Sequence, residues 1–278
     1  MGLPHLTNEK AMKNYFGPQS GIGDKAVYLA EKPFVTIQGE GPNAGKNTIF
    51  IRFFGCNLAN SCGVDWCDSG HSFYTDNELK KDPITGNPTE YPPKPDRLTY
   101  ASVEKFCEVI FELDSIAKFN NIVFTGGEPL LWQMTIAKIL GYLKNQYNRT
   151  VTVEIETNGT IQIEPELTDW FRMVHFNISP KVHVVKKFPL VEQLSTKTFD
   201  HDDWIIKFVY EDDETEDQIA SFIKKYDIEN HKVYIMPEGI TTEVQIKKMQ
   251  PIAEWCINKG YNFSPRLHVL IWNLAKGI

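Results

Sequence analysis

The 278-residue sequence is poor in cysteine, has no excess of basic charge and contains no long apolar run, and each lack excludes a class of function. No stretch reaches the roughly 18 consecutive apolar residues that a membrane-spanning helix needs. The stretch "MGLPHLTNEK" (1–10) holds no apolar segment, so no secretory signal is expected. Pro4 and His5 after Met1-Gly2 make a poor myristoylation signal. The expected compartment is the cytoplasm. A formal net charge of −7 lacks the basic face of a tight nucleic-acid binder, so neither nucleic acid nor membrane is an expected direct partner. Repeats and low-complexity tracts are missing too. Five cysteines are an odd number, and thiols stay reduced in the cytoplasm, which argues against a disulfide framework. What remains is the composition of a soluble globular protein, long enough for a substantial core.

Beyond residue 48 the chain alternates β-rich runs with helical periods. "TIFIRFF" (48–54), "NIVFT" (121–125), "VTVEIET" (151–157), "VHFNIS" (174–179), "WIIKFV" (204–209) and "KVYIMP" (232–237) read as strands. Helices are expected over 102–119, 133–146, 165–171, 214–226 and 242–259. Such alternation implies a parallel sheet with right-handed crossovers, and six strands make a partial β/α barrel, short of the eight that close one. Chemistry on such sheets gathers at the C-terminal strand ends. Residues 1–32 read as an N-terminal extension, 33–278 as a single domain, and the Pro-rich, charged segment 76–97 as a surface insertion within it. The acidic run "EDDETED" (211–217) reads as a solvated loop and helix start.

"GCNLANSCGVDWCDS" (55–69) places Cys56, Cys62 and Cys67 directly after the first core strand. Cys107 shares an apolar helix face with Val103, Phe106 and Ile110, and Cys256 follows Ile252 by one turn, so both read as core residues. The three loop thiols fit two readings. With His71 they make a Cys3His zinc set. Alone, they hold an iron–sulfur cluster with one iron open to a small molecule. The spacing C-x5-C-x4-C is compatible with either. At the end of the next strand lies "FTGGEPLL" (124–131), where paired glycines permit close backbone approach and Glu128 offers a carboxylate suited to an ammonium group.

A three-cysteine loop followed one strand later by GGEP resembles the radical S-adenosylmethionine (SAM) superfamily, whose usual spacing, C-x3-C-x2-C, is shorter in both gaps. There the cysteines bind a [4Fe–4S] cluster and the open iron chelates the SAM methionyl group. Five further segments resemble the 7-carboxy-7-deazaguanine synthase family in order: "QGEG" (38–41) with the F-x-R-x-x-G-C strand end, "TGGEP" (125–129), "ETNGT" (156–160), "SPK" (179–181) and "RLHVLIWNLAKGI" (266–278). The resemblance implies a radical-SAM partial barrel that converts 6-carboxy-5,6,7,8-tetrahydropterin to 7-carboxy-7-deazaguanine with loss of ammonia. It implies a [4Fe–4S] cluster, catalytic SAM and Mg2+, an electron donor such as flavodoxin or ferredoxin, and a homodimer. An activating enzyme that installs a glycyl radical on a partner protein shares the cysteine loop and GGEP, but not QGEG or the C-terminal element.

By that resemblance, Ile37, Gln38, Gly39 and Glu40 line the pterin, and the Gln38 amide both donates and accepts, as a pterin edge requires. Arg52, opposite Ile51 and Phe53 in an apolar strand, suits the substrate carboxylate, the alternative being a structural salt bridge to Glu154 or Glu156. Thr125 and His268 match substrate contacts, and Ile278 a terminal carboxylate that reaches substrate in some members. Glu40 and His268 are the expected catalytic groups. Trp66, Cys67, Asp68, Gly126, Gly127, Glu128, Glu156, the turn Ser179–Pro180–Lys181 and "MPEG" (Met236, Pro237, Glu238, Gly239) match the SAM site. Cys56, Cys62 and Cys67 are the cluster ligands, and Ser69 the hydroxyl that ligates Mg2+.

Overall fold

The structure, a computed structural model, describes residues 27–59, 67, 69–72, 80–81, 88–89, 98–146, 151–182 and 203–273. The chain runs β1 (Val27–Leu29), β2 (Phe34–Ile37), β3 (Asn47–Phe53), the short pair β4 (Lys80–Lys81) and β5 (Pro88–Thr89), then β6 (Leu98–Tyr100) and α1 (Val103–Ala117). It continues through β7 (Asn121–Gly126), α2 (Gln133–Gln146), β8 (Thr152–Thr157), α3 (Thr168–Phe171) and β9 (His175–Ile178). Last come β10 (Trp204–Tyr210), α4 (Asp213–Lys225), β11 (Val233–Pro237), α5 (Thr242–Lys259), β12 (Asn262–Phe263) and α6 (Leu267–Trp272).

Among the described residues the main sheet has the order β12-β11-β10-β9-β8-β7-β3-β1-β6, with β2 also on β3. From β3 to β12 every neighbouring pair is parallel. The six expected strands are therefore all present, and the two-residue β12 adds a seventh to the parallel run. Beyond β3 the sheet turns antiparallel through β1, β2 and β6. This corrects one boundary. Residues 27–32 are not a peripheral extension, because β1 pairs with β3 and β6 and buries Val27 and Leu29 in the core. Three-residue strands that pair at an edge carry too little periodicity to be read from sequence. The 76–97 segment carries the β4–β5 pair, and its other residues through 97 lie outside the described set.

Strand alternation divides the sheet chemically. Ile49, Ile51 and Phe53 of β3, Ile122 and Phe124 of β7, Ile155 of β8, Phe176 and Ile178 of β9 and Ile206 and Phe208 of β10 join one core with Phe106 and Ile110 of α1 and Ile136 and Ile139 of α2. Phe53 stacks on Phe124 and on Trp132 at 6.1 and 5.8 Å. The other face mixes apolar Phe50, Val123 and Ile205 with the polar groups Arg52, Thr125, Glu154, Glu156, Asn177 and Lys207. Strands buried on both faces are ordinarily near-continuous apolar runs, so the charged and amide groups gathered on this face mark a working interior.

Helix ends follow their sequence signals. Ser102, Asp212 and Thr241 cap α1, α4 and α5 by accepting the N–H of Lys105, Thr215 and Val244. The acidic run opens α4 with Asp213, Glu214 and Glu216, and Lys224 and Lys225 close it, as the helix dipole favours. None of the described helices is long and apolar enough to cross a membrane.

Candidate active site

The QGEG turn leaves β2 and meets the segment that precedes α6. The Leu267 N–H donates to the Gly39 carbonyl at 2.9 Å, and the Gly41 N–H donates to Ser264 Oγ at 2.8 Å. The His268 ring lies so close over Gly39 that a Cβ there would sit 2.0 Å from Nδ1. Only glycine fits, so the two distant motifs are halves of one structural unit.

Glu40 is the hinge of that unit. Arg266 Nε donates to its Oε1 at 3.0 Å, and Lys207 Nζ donates to its Oε2 at 2.5 Å. Burial alone would raise this carboxyl, but the charges of Lys207, Arg266 and His268 outweigh it and hold Glu40 well below the usual carboxylate range. Burial would likewise lower the Lys207 ammonium, and Glu40 and Glu156 reverse that and raise it. Lys207 also stands 3.8 Å from Glu156 Oε1, and Thr125 Oγ1 donates to Glu156 Oε2 at 2.9 Å. A line of alternating charge thus crosses the C-terminal strand ends from Arg266 through Glu40 and Lys207 to Glu156.

Gln38 sits beneath this line and is 2 % exposed. Its Nε2 donates to Glu154 Oε2 at 3.4 Å and its Oε1 accepts the Glu40 N–H at 3.3 Å. Asn121 and Asn177 donate to the same Glu154 carboxylate at 2.5 and 2.6 Å. The Gln38 amide, expected to read a ligand edge, engages the protein at both ends. Arg52 faces the interior as strand alternation predicts, yet neither Glu154 nor Glu156 is its partner. Its Nε donates to Glu31 Oε1 at 2.6 Å and its Nη1 to Ser69 Oγ at 3.4 Å. Glu31 belongs to the stretch read as an extension, so sequence reasoning could not supply it.

The GGE turn packs against the cysteine loop. A Cβ at Gly126 would lie 2.1 Å from the Phe53 carbonyl oxygen, and one at Gly127 would lie 2.2 Å from that of Gly55 and 2.8 Å from Cys56 Cβ. The paired glycines therefore admit the backbone that carries the first cysteine. The Glu128 carboxylate is fully buried and held by protein donors. Its Oε1 accepts the Leu130 N–H at 3.0 Å and the Thr157 hydroxyl at 2.8 Å, and its Oε2 accepts the Asn158 N–H at 2.8 Å. Burial pushes this carboxyl up to about 7, against the lowering effect of those donors.

Cys56 is buried and Cys67 half-buried, while Cys62, Trp66 and Asp68 lie outside the described residues. The Leu58 N–H donates to Cys56 Sγ at 3.4 Å, a contact suited to a sulfur that carries negative charge. The Gly55 N–H donates to the Ser72 carbonyl at 2.7 Å and closes the loop's base. Cys107 and Cys256 are core residues as expected, their thiols pushed by burial up to about 12 and about 11. At the next strand ends, the Ser179 N–H donates to the Thr157 carbonyl at 2.8 Å and Lys181 Nζ to Ser179 Oγ at 3.2 Å. The 236–239 turn is held by Gln245, which donates to the Pro237 and Gly239 carbonyls, and by Arg266, which donates to Gly239 at 3.0 Å. Ile278 lies outside the described residues. Lys207 and Arg266 are the polar groups that sequence reasoning passed over; a lone Lys in the apolar run "WIIKFVY" is the same signal as Arg52.

A mostly parallel open sheet that carries a cysteine loop and a glycine-paired turn at its strand ends defines an open, partial β/α barrel. No family model matches the chain. It is similar to the 7-carboxy-7-deazaguanine synthase of Pyrobaculum aerophilum, with 26 % identity over 88 % of this chain and 94 % of that protein. Similarity to the synthase of Halobacterium salinarum is 27 % over 92 % of this chain and 95 % of the relative. A crystal structure of QueE from Escherichia coli shares the fold, with a TM-score of 0.61 and 19 % identity, across 95 % of this chain and 100 % of that one. The chain is thus similar to curated 7-carboxy-7-deazaguanine synthases along most of its length.

Proposed function

We propose that the protein converts 6-carboxy-5,6,7,8-tetrahydropterin to 7-carboxy-7-deazaguanine with release of ammonia, as a lyase of 7-deazapurine (queuosine-type) biosynthesis. The observation that carries this reading is the joining of the QGEG turn and the Arg266–His268 segment into one charged cradle, Arg266–Glu40–Lys207, at the barrel mouth beside the cysteine loop.

Cys56, Cys62 and Cys67 would hold a [4Fe–4S] cluster, and the Ser69 hydroxyl would be a ligand to Mg2+. The sulfur chemistry of the loop and the Leu58 N–H on Cys56 fit the cluster. Gly126, Gly127, Ser179–Lys181 and Met236–Gly239 frame SAM. When bound, the cluster and SAM together supply one-electron, hydrogen-abstracting chemistry that side chains cannot. The chain's own groups position and shield. Glu40 stays charged and fixed by two cations, with acceptor lone pairs left for the aminopyrimidine N–H groups. His268, packed on Gly39, borders the same space and presents a ring nitrogen to the pterin or to the departing nitrogen. Arg52, fixed by Glu31, directs its remaining guanidinium donors to the substrate carboxylate. A cytoplasmic homodimer served by a flavodoxin or ferredoxin completes the reading.

The test is anaerobic reconstitution with iron and sulfide, then incubation with dithionite, SAM, Mg2+ and the carboxytetrahydropterin, read by mass spectrometry. The expected result is 7-carboxy-7-deazaguanine, lost when Cys56, Cys62 and Cys67 are replaced by Ala. SAM cleavage without that product would overturn the substrate, and stoichiometric zinc without iron would overturn the enzyme.

A further inference from the structure

Asn57 follows the first cysteine of the loop, and none of the roles above uses it. Its side chain joins the exit of β3 to that of β8. Nδ2 donates to Thr160 Oγ1 at 2.7 Å, and Oδ1 accepts from Asn158 Nδ2 at 2.9 Å. Asn158 donates its backbone N–H to Glu128 Oε2 at 2.8 Å, and the Glu128 N–H donates to the Gly55 carbonyl at 2.8 Å. The circuit closes on itself. Gly55 to Asn57 stand at the exit of β3, Glu128 at the exit of β7, and Asn158 at the exit of β8.

The polarity of the circuit is fixed. Asn158 Oδ1 accepts the Thr160 N–H at 2.9 Å, and a backbone N–H can only donate. The other end of that amide must therefore donate, and Asn57 Oδ1 receives it. Asn57 Nδ2 is left to face the Thr160 hydroxyl, which donates onward to Asn158 Oδ1 at 2.5 Å. Every amide has one satisfiable orientation, which is how a polar network holds a single geometry. At its centre the Cys56–Leu58 turn places a backbone N–H on the sulfur.

We propose that Asn57 and Asn158 are positioning residues of the cysteine loop, holding Cys56 Sγ at the barrel mouth and slowing loss of the group that the three cysteines bind. The inference rests on the reading of Cys56, Cys62 and Cys67 as iron–sulfur ligands. Partners that orient a ligand are worth about 10- to 100-fold in metal retention.

The experiment takes the full chain, reconstituted with iron and sulfide without oxygen, and follows bleaching of the visible cluster absorption by EDTA. Wild type is compared with Asn57→Ala, with Asn57→Asp, which keeps the acceptor for Asn158, and with Thr160→Val, which keeps the Asn57–Asn158 bond. Thermal midpoints are recorded in parallel. Iron should leave Asn57→Ala about 10- to 100-fold faster than wild type at a similar midpoint, with the other two between. Equal rates in wild type and Asn57→Ala overturn the inference, as does a rate that rises only in step with lost thermal stability. Should Asn57→Ala fail to fold, Asn57→Asp and Thr160→Val carry the same comparison. A wild-type chain that takes up no iron overturns the ligand reading, whereas a wild-type cluster indifferent to Asn57 overturns only the positioning role.

Discussion

Arg266 reaches Glu40 across 226 residues of chain and donates to its Oε1 at 3.0 Å, while Lys207 holds the other carboxylate oxygen. Two buried cations share one half-buried anion. Lys207→Met leaves Glu40 one cation short and Glu156 without its neighbour. Arg266 still neutralises Glu40, so the expected loss is about 1.5–3 kcal/mol, the scale of one hydrogen bond to a charged group, read as a lower urea midpoint at an unchanged slope.

Gly39→Ala drives a methyl group into the His268 ring, at 2.0 Å from Nδ1. The ring must swing from the mouth, and kcat/KM for the pterin should fall about 100-fold, as a misplacement of about 1 Å implies. Gly45→Ala is the control. Nothing lies within 4 Å of its added Cβ, but φ is +90°, so it should cost about 1–2 kcal/mol of stability and leave kcat/KM of the folded enzyme unchanged.

Gly127→Ala meets the Gly55 carbonyl and Cys56 Cβ, which belong to the backbone and the stem of a ligand rather than to a flexible tip. The loop must shift. A stability loss of about 1–3 kcal/mol is expected, with less iron per chain after reconstitution, measured by colorimetric iron assay.

Glu128 gives the fold a pH dependence of its own. The unfolded chain releases this proton near pH 4.5, and burial lets the fold keep it to about pH 7. Between those values the folded state binds more protons, so this group's contribution falls as pH rises, by about 3 kcal/mol across the window. Glu128→Gln cannot titrate. Its stability relative to wild type should improve by that amount from pH 4.5 to 7, and a flat difference would refute the assignment.

The longer parallel strands were legible because they are short runs rich in β-branched or aromatic residues between helical periods, and α2 and α5 run over the expected residues. The edge strands were not. β1 and β6 owe their existence to pairing with each other and, for β1, with β3. The motifs located the mouth but not the direction of each side chain. Glu128 reads as a ligand group in GGEP, and only the β8 turn, which supplies two of its three donors, shows that it faces inward. Arg52 was placed on the correct face, but its partner Glu31 comes from a stretch with no periodicity. Pairing between distant segments is a tertiary property, and no local pattern encodes it.

The clasp between the QGEG turn and the Arg266–His268 segment also sets an order of events at the ribosome. Residues 38–41 emerge early and wait for partners 226 positions later. At about 5–20 residues per second, that wait is about 10 to 45 s. Once residue 160 has emerged, the first cysteine, the GGE turn and the β8 turn that ties them together can come together, while the Arg266–His268 side stays unbuilt. The part of the mouth that carries the first thiol is therefore in place before the wall that carries His268, and closure of the mouth is the last step of its assembly.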